Sequence, residues 1–251
     1  MRWLEQFGHF AHFALRALAA APRALTRPRD LAVQLYAMLI GVLPLGVVAG
    51  LAVGAVVWMH LRGTVATFGG PEAVRVLPRA LALAVVLEFA PLTAGLMVAG
   101  RSGASLGAEL GSMRLTEQID AIEVLGLSPI RLLVAPRVLA CMLTLPLLAV
   151  FISYLGILSG FIAEVTSGGN LTWTQYHTAC VRDLTLANVL PATLKTVAFG
   201  YLIGITGCYF GMQATGGTEG VGRAATHSVV VSIFLVLVAN VLLVRAIQLF
   251  C

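Results

Sequence analysis

A chain of 251 residues that is 59% hydrophobic and 11% charged, with a net charge of +5 at pH 7, departs from a soluble domain, whose charged share is about a quarter. Period-two alternation between turns, the mark of a membrane barrel, is absent, while several windows exceed the roughly 18 apolar residues that take a helix across hydrocarbon. The expected fold is an all-α integral membrane protein, with a helix over residues 1–26 and one membrane domain over 27–251.

Taken in chain order, Trp3, Phe7, Phe10, Ala14, Leu18, Ala21 and Leu25 recur at steps of three and four, with Glu5, His9, His12 and Arg16 on another face. This pattern predicts an amphipathic helix lying in the membrane interface and attracted to anionic head groups; packing on another subunit is the alternative. Because polar residues interrupt the first twenty, the segment is expected to be retained rather than cleaved. The run RPRD at 27–30 ends it.

Span one is expected over 31–59, with Gly41, Pro44, Gly46, Gly50 and Gly54 suited to close contacts or a bend. A polar link with Arg62, Gly69, Gly70, Pro71, Glu72 and Arg75 leads to span two, about 77–100. Residues 101–137 then form a polar island. Span three follows at about 138–163, a link containing SGGN at 164–187, span four at 188–212 and span five at 224–248. Ten of the sixteen basic residues fall in residues 2–29, the island and the 213–223 loop, which places these segments inside and the C-terminus outside; Arg245 weakly opposes that orientation.

The island sets Glu109, Glu117, Asp120 and Glu123 against Arg101, Arg114, Arg131 and Arg137. Each ionised side chain costs roughly 2.5–3.5 kcal/mol in a membrane-spanning helix, so this density of charge belongs outside the bilayer. Leu115, Ile119, Ile122 and Leu125 are expected on one face of a short helix, with Glu117, Asp120 and Glu123 on another. Gly126 suits the left-handed position after its last turn, and Pro129 prevents its continuation. A solvated loop helix with no partner is the plainer reading.

Within the spans, Glu88 lies midway through span two, where intramembrane carboxylates face a bundle interior or cavity. It is the first candidate for the transport path, with Pro91 close by; the alternative is a structural carboxylate. Lys195, the sole lysine, could snorkel outward or meet an acidic group or lipid phosphate. The cluster GGTEGVG lacks the lysine and following hydroxyl of a phosphate-binding loop and reads as a flexible turn between spans four and five. Cys141, Cys180, Cys208 and Cys251 show no metal or disulfide spacing, His9 and His12 lack a third ligand, and His60, His177 and His227 are isolated. No catalytic, cofactor or metal site is expected.

The stretch GAELGSMRLTEQIDAIEVLGLSPIRLLVAPRVLA, with LEFAPLTAGLMVAGRSGASLGAELG, LKTVAFG and GGTEGVGRAATHSVVVS, resembles the MlaE family of ABC-transporter permeases over about residues 84–232. The resemblance implies a coupling region at 101–131 whose cytoplasmic helix, between spans two and three, docks on a separate ATPase through Glu109, Arg114, Glu117, Gln118, Asp120 and Glu123. Gly217, Glu219, Gly220, Gly222 and Arg223 would join that interface. It further implies a homodimer in a bacterial inner membrane, an ATPase dimer holding ATP and Mg, an outer-side MCE-domain protein, a small accessory cytoplasmic protein, and phospholipid or a related lipid as cargo, held between spans one, two and five; no nucleic acid is implied.

Members commonly carry an arginine before the glutamate at this site, whereas this chain reads Leu87, Glu88, Phe89, Ala90, Pro91, which argues against an ion-paired Glu88. The family's glutamine near the outer end of span one is also replaced, by the run around Trp58 and His60. Two rivals remain: an ion-coupled secondary transporter using Glu88 and Lys195, and a membrane scaffold that transports nothing.

Overall fold

A computed structural model describes residues 2–25, 28–68, 76–169 and 171–250. Every regular element among them is helical. In chain order these are α1 (Arg2–Ala24), α2 (Pro28–Phe68), α3 (Leu77–Leu115), α4 (Gln118–Val124), α5 (Ile130–Thr166), α6 (Trp173–Val181), α7 (Leu186–Met212) and α8 (Gly217–Phe250). Five of them, α2, α3, α5, α7 and α8, are long and apolar enough to cross a membrane. Gly69 to Arg75 of the expected first link, Arg27 and Asn170 lie outside the described residues, as do Cys251 and the side chains of Trp3 and Phe7.

The helices outrun the apolar windows that predict them, because hydrogen bonding along the backbone continues after the hydrophobic requirement ends. The largest excess is in α3, which continues fifteen residues past the expected end at 100 and absorbs the first part of the polar island. Two π turns interrupt it, Val85–Phe89 and Ala99–Gly103, and a third, Ile130–Val134, opens α5. α8 begins at Gly217 rather than about 224.

The chain divides into two compact units. The first comprises residues 1–42, 95–145 and 197–251. Its core joins Leu110, Ile119, Val134, Val138, Ile205 and Cys208, and α1 contributes the fully buried Ala17. Phe10 and Phe13 meet Tyr209 edge-on, with ring centroids 5.1 and 5.6 Å apart, and the Tyr201 hydroxyl donates to the Ala14 carbonyl at 2.9 Å. α1 thus packs on its own chain. The expected apolar face is shifted: Ala17, Ala20 and Ala21 are buried, whereas Leu18 and Leu25 are exposed. Small side chains let α1 approach its neighbours closely. In the same unit α3 packs along α8, where a methyl group on Gly107 would press on the Ser228 side chain and the Ala224 carbonyl.

The second unit comprises residues 43–94 and 146–196. Here α2 and α5 come into backbone contact, since any side chain at Gly54 would collide with the Gly156 carbonyl. Trp58, Phe161, Trp173 and Tyr176 form an aromatic cluster. α6, which the sequence reading passes over inside the 164–187 link, starts from a reciprocal cap between Thr172 and Gln175. It is tied down by Tyr176 donating to the Ile157 carbonyl at 2.9 Å and by Cys180 against the Pro78 carbonyl at 3.3 Å.

Candidate functional site

The first π turn of α3 carries Glu88, and α7 sets Lys195 against it. The ammonium donates to Glu88 Oε2 at 2.9 Å and to the Leu87 carbonyl at 3.0 Å. The lysine side chain is 1% exposed and the carboxylate 45%. One partner is therefore sealed and the other open, an arrangement in which the buried cation fixes a carboxylate that a second molecule can still reach. The absence of an adjacent arginine argued against an ion-paired Glu88, and the structure corrects this: Lys195, distant in sequence, supplies the cation. Nor does Lys195 snorkel. π turns recur at functional sites because the widened turn re-aims side chains out of the regular register. Pro91 lies nearby beside a space of about 30 Å³ among Val86, Pro146, Ser153 and Thr193, room for a water-sized group only.

The coupling residues gather in the first unit, around a sharp elbow. α3 stops at Leu115, Glu117 takes φ = 57°, and α4 starts one residue later. Arg114 pairs with Asp120 across the break, and Gln118 donates to the Thr116 hydroxyl at 2.9 Å. Gly126 has φ = 74°; its N–H meets the Glu123 carbonyl at 2.9 Å, and the Leu127 N–H meets the Ile122 carbonyl at 3.1 Å, which closes α4 with the two-bond cap expected of that glycine. Ser128 then accepts from Arg131 and Leu132, so the next helix begins at once. Glu109 stands apart, accepting from Ser105 at 2.8 Å and facing Arg137 at 3.5 Å.

The apolar face expected of this helix is redistributed. Ile119 is buried and Ile122 half-buried, but Leu115 is 45% exposed and Leu125 74%. The break at Glu117 takes Leu115 out of register, and the cap turns Leu125 outward. With Val124 and Leu127 it makes an exposed apolar tip, flanked by Glu117 and Glu123, which have no ion-pair partner among the described residues. Sequence reasoning singled out the carboxylates and missed Val124 and Leu127, whose exposure no hydrophobic pattern signals.

The glycine cluster is helical rather than a flexible turn: only 213–216 turns, and Gly217, Glu219, Gly220, Gly222 and Arg223 occupy the first turns of α8. Gly217 has φ = 70°, and a side chain at Gly220 would strike the Thr215 carbonyl. Glu219, Gly222 and Arg223 are exposed.

In the second unit Glu164, which the sequence reading did not single out, is buried and paired with Arg62, while Arg79 pairs with Asp183. Burial pushes the Cys180 thiol up to about 12, so it stays protonated and unreactive at neutral pH. Cys141, Cys180 and Cys208 are free thiols.

Five membrane-length helices, an ion pair that joins two of them and a capped polar elbow between two of the spans define a multi-pass membrane protein with internal polar machinery. The family model described as Permease MlaE matches residues 31–246, and the chain belongs to that family. A probable ABC transporter permease protein of Rickettsia bellii is 32% identical over 97% of this chain and 92% of its own. One from Rickettsia typhi is 40% identical over 64% of this chain, a match spanning 62% of that protein. The chloroplastic protein trigalactosyldiacylglycerol 1 of Arabidopsis thaliana is 36% identical over 65% of this chain and 46% of its own.

Proposed function

We propose that this permease moves phospholipid or a related lipid through a bacterial inner membrane, as a homodimer driven by a separate ATPase dimer that holds the ATP and Mg. The observation that carries the reading is the elbow at α4. A seven-residue helix locked by Arg114–Asp120 and by a glycine cap presents Val124, Leu125, Glu117 and Glu123 to a partner. Its rigidity suits the transmission of force, because ordering entropy is already spent before docking. Closure of the ATPase dimer would push on this tip, and the displacement would pass into α3 and α5, the helices that flank it, as a rigid-body step. Arg114, Gln118 and Asp120 hold the elbow, Glu109 ties α3 to Arg137 of α5, and the first turns of α8 add Glu219 and Arg223 to the same docking surface.

Lipid as the cargo is supported by the family and by the glycolipid in the Arabidopsis relative's name. Glu88, half open and held by Lys195, is the residue proposed to meet a polar head group on the path. An MCE-domain protein on the outer side and a small cytoplasmic subunit complete the proposed assembly.

Copurification with candidate ATPases, followed by lipid-stimulated ATP hydrolysis, tests this. V124D/L125D should abolish both association and stimulation. Association and lipid transfer left intact by that variant and by E117A/D120A would remove the coupling assignment. The ion pair favours one rival, a secondary transporter driven by protons through Glu88; transport that persists without any ATPase and follows the proton gradient would establish that rival instead.

A further inference from the structure

Beside the elbow, within the first unit, lies a half-open cavity of about 620 Å³. α1 contributes Phe13, Arg16, Ala19 and Ala20 to it, α4 contributes Glu123, the α4–α5 turn and first turn of α5 contribute Ser128 to Arg131, and the end of α7 contributes Tyr209, Met212 and Gln213. Arg16 and Arg131 both reach it from exposed positions, and neither has a hydrogen-bond or ion-pair partner among the described residues. Glu123 is likewise unpaired, which leaves the lining with one net positive charge. Arg131 projects from a π turn, the third in the chain.

Two unpaired guanidinium forks beside a serine hydroxyl and a glutamine amide are suited to phosphate oxygens, which they bind bidentately. A single net positive charge matches the one negative charge of a phosphodiester. The remaining lining, Phe13, Ile130 and Met212, is apolar, and Leu15 and Leu18 stand exposed on either side of Arg16 along α1. A phosphate carried by a lipid would use both halves of this lining, whereas a free phosphate would use one.

We propose that this cavity binds the phosphodiester head group of an anionic lipid, with Arg16 and Arg131 as its ligands. The site is distinct from Glu88 and does not depend on lipid being the transported cargo. Its occupant would touch Glu123, so anionic lipid would act on the elbow that the proposed ATPase contacts.

The test uses the full chain in phosphatidylcholine nanodiscs doped with phosphatidylglycerol, with retained phosphatidylglycerol measured by mass spectrometry after washing in detergent. Loss of both forks in R16Q/R131Q should lower retention about tenfold, as expected for removal of charge-assisted hydrogen bonds worth together about 1.4 kcal/mol or more. R29Q, an exposed arginine outside the cavity, should leave it unchanged. Equal retention by R16Q/R131Q and R29Q overturns the site. If the double variant fails to give a thermal unfolding transition, R131Q alone must retain less than R29Q, and equality there overturns the site as well. Inorganic phosphate and glycerol 1-phosphate are added as competitors: no displacement supports a lipid source, and displacement by either at matched concentration overturns it in favour of a soluble phosphate.

Discussion

Two ion pairs of the same chemistry do opposite work in this molecule. Arg114–Asp120 bridges the elbow with both side chains substantially exposed, at 39% and 49%, whereas Lys195–Glu88 joins two membrane-length helices with the lysine sealed at 1%. Water and salt screen the first pair, so its value lies in fixing an angle between helices rather than in net stability. The second is closed to solvent on its cationic side. Its strength and its cost are both set by the low-dielectric surroundings, and breaking it from the two sides should give unequal results.

The sharpest way to break the comparison is Glu88→Leu, which strands the buried ammonium with only the Leu87 carbonyl and should cost about 3 kcal/mol. Lys195→Met leaves a carboxylate that is half open and should cost about half as much. The double variant should recover part of the loss, and denaturant unfolding in detergent reads all three as a double-mutant cycle. Equal losses from both single variants would show that the unequal exposure has no energetic meaning.

Next in size is Gly54→Ala. The added methyl collides with the Gly156 backbone, which should destabilise the protein by about 2 kcal/mol. Gly222→Ala, whose methyl meets nothing within 4 Å, should instead stabilise α8 by up to about 1 kcal/mol. Thermal unfolding of the pair separates close helix contact from helix propensity.

At the elbow, Gly126→Ala places a side chain at φ = 74° and should cost about 1 kcal/mol. Glu117→Gly relieves the same kind of strain at φ = 57° and should gain somewhat less than about 1 kcal/mol while loosening the bend. The smallest effect is expected of Asp120→Ala, at below about 1 kcal/mol, with a further decrease at high salt. A loss as large as that of Glu88→Leu would mean that the elbow pair is the structural one.

Much of this was legible in the chain. Five apolar windows, the polar island between the second and third, the left-handed Gly126 and the amphipathic rhythm of residues 1–26 each follow from local rules of hydrophobicity, turn chemistry and periodicity. The misses share a cause. Leu125 and Leu18 sit on the predicted stripes yet face outward, because a tight cap and a run of alanines decide which part of each helix meets its neighbours. GGTEGVG reads as a turn from composition, but α8 begins within it at Gly217, with Gly220 buried against the Thr215 carbonyl.

The sequence by itself determined that this protein is helical, membrane-embedded and polar in one place between spans, since these depend on transfer energies and backbone preferences carried by neighbouring residues. Only the tertiary structure decided that Lys195 answers Glu88, that Arg114 holds Asp120 across a break, and that Arg16 and Arg131 share one cavity. Lys195 and Arg131 meet their neighbours through the approach of helices remote in the chain, and Arg114 reaches Asp120 only because the left-handed Glu117 breaks the helix between them; no periodic pattern encodes either geometry.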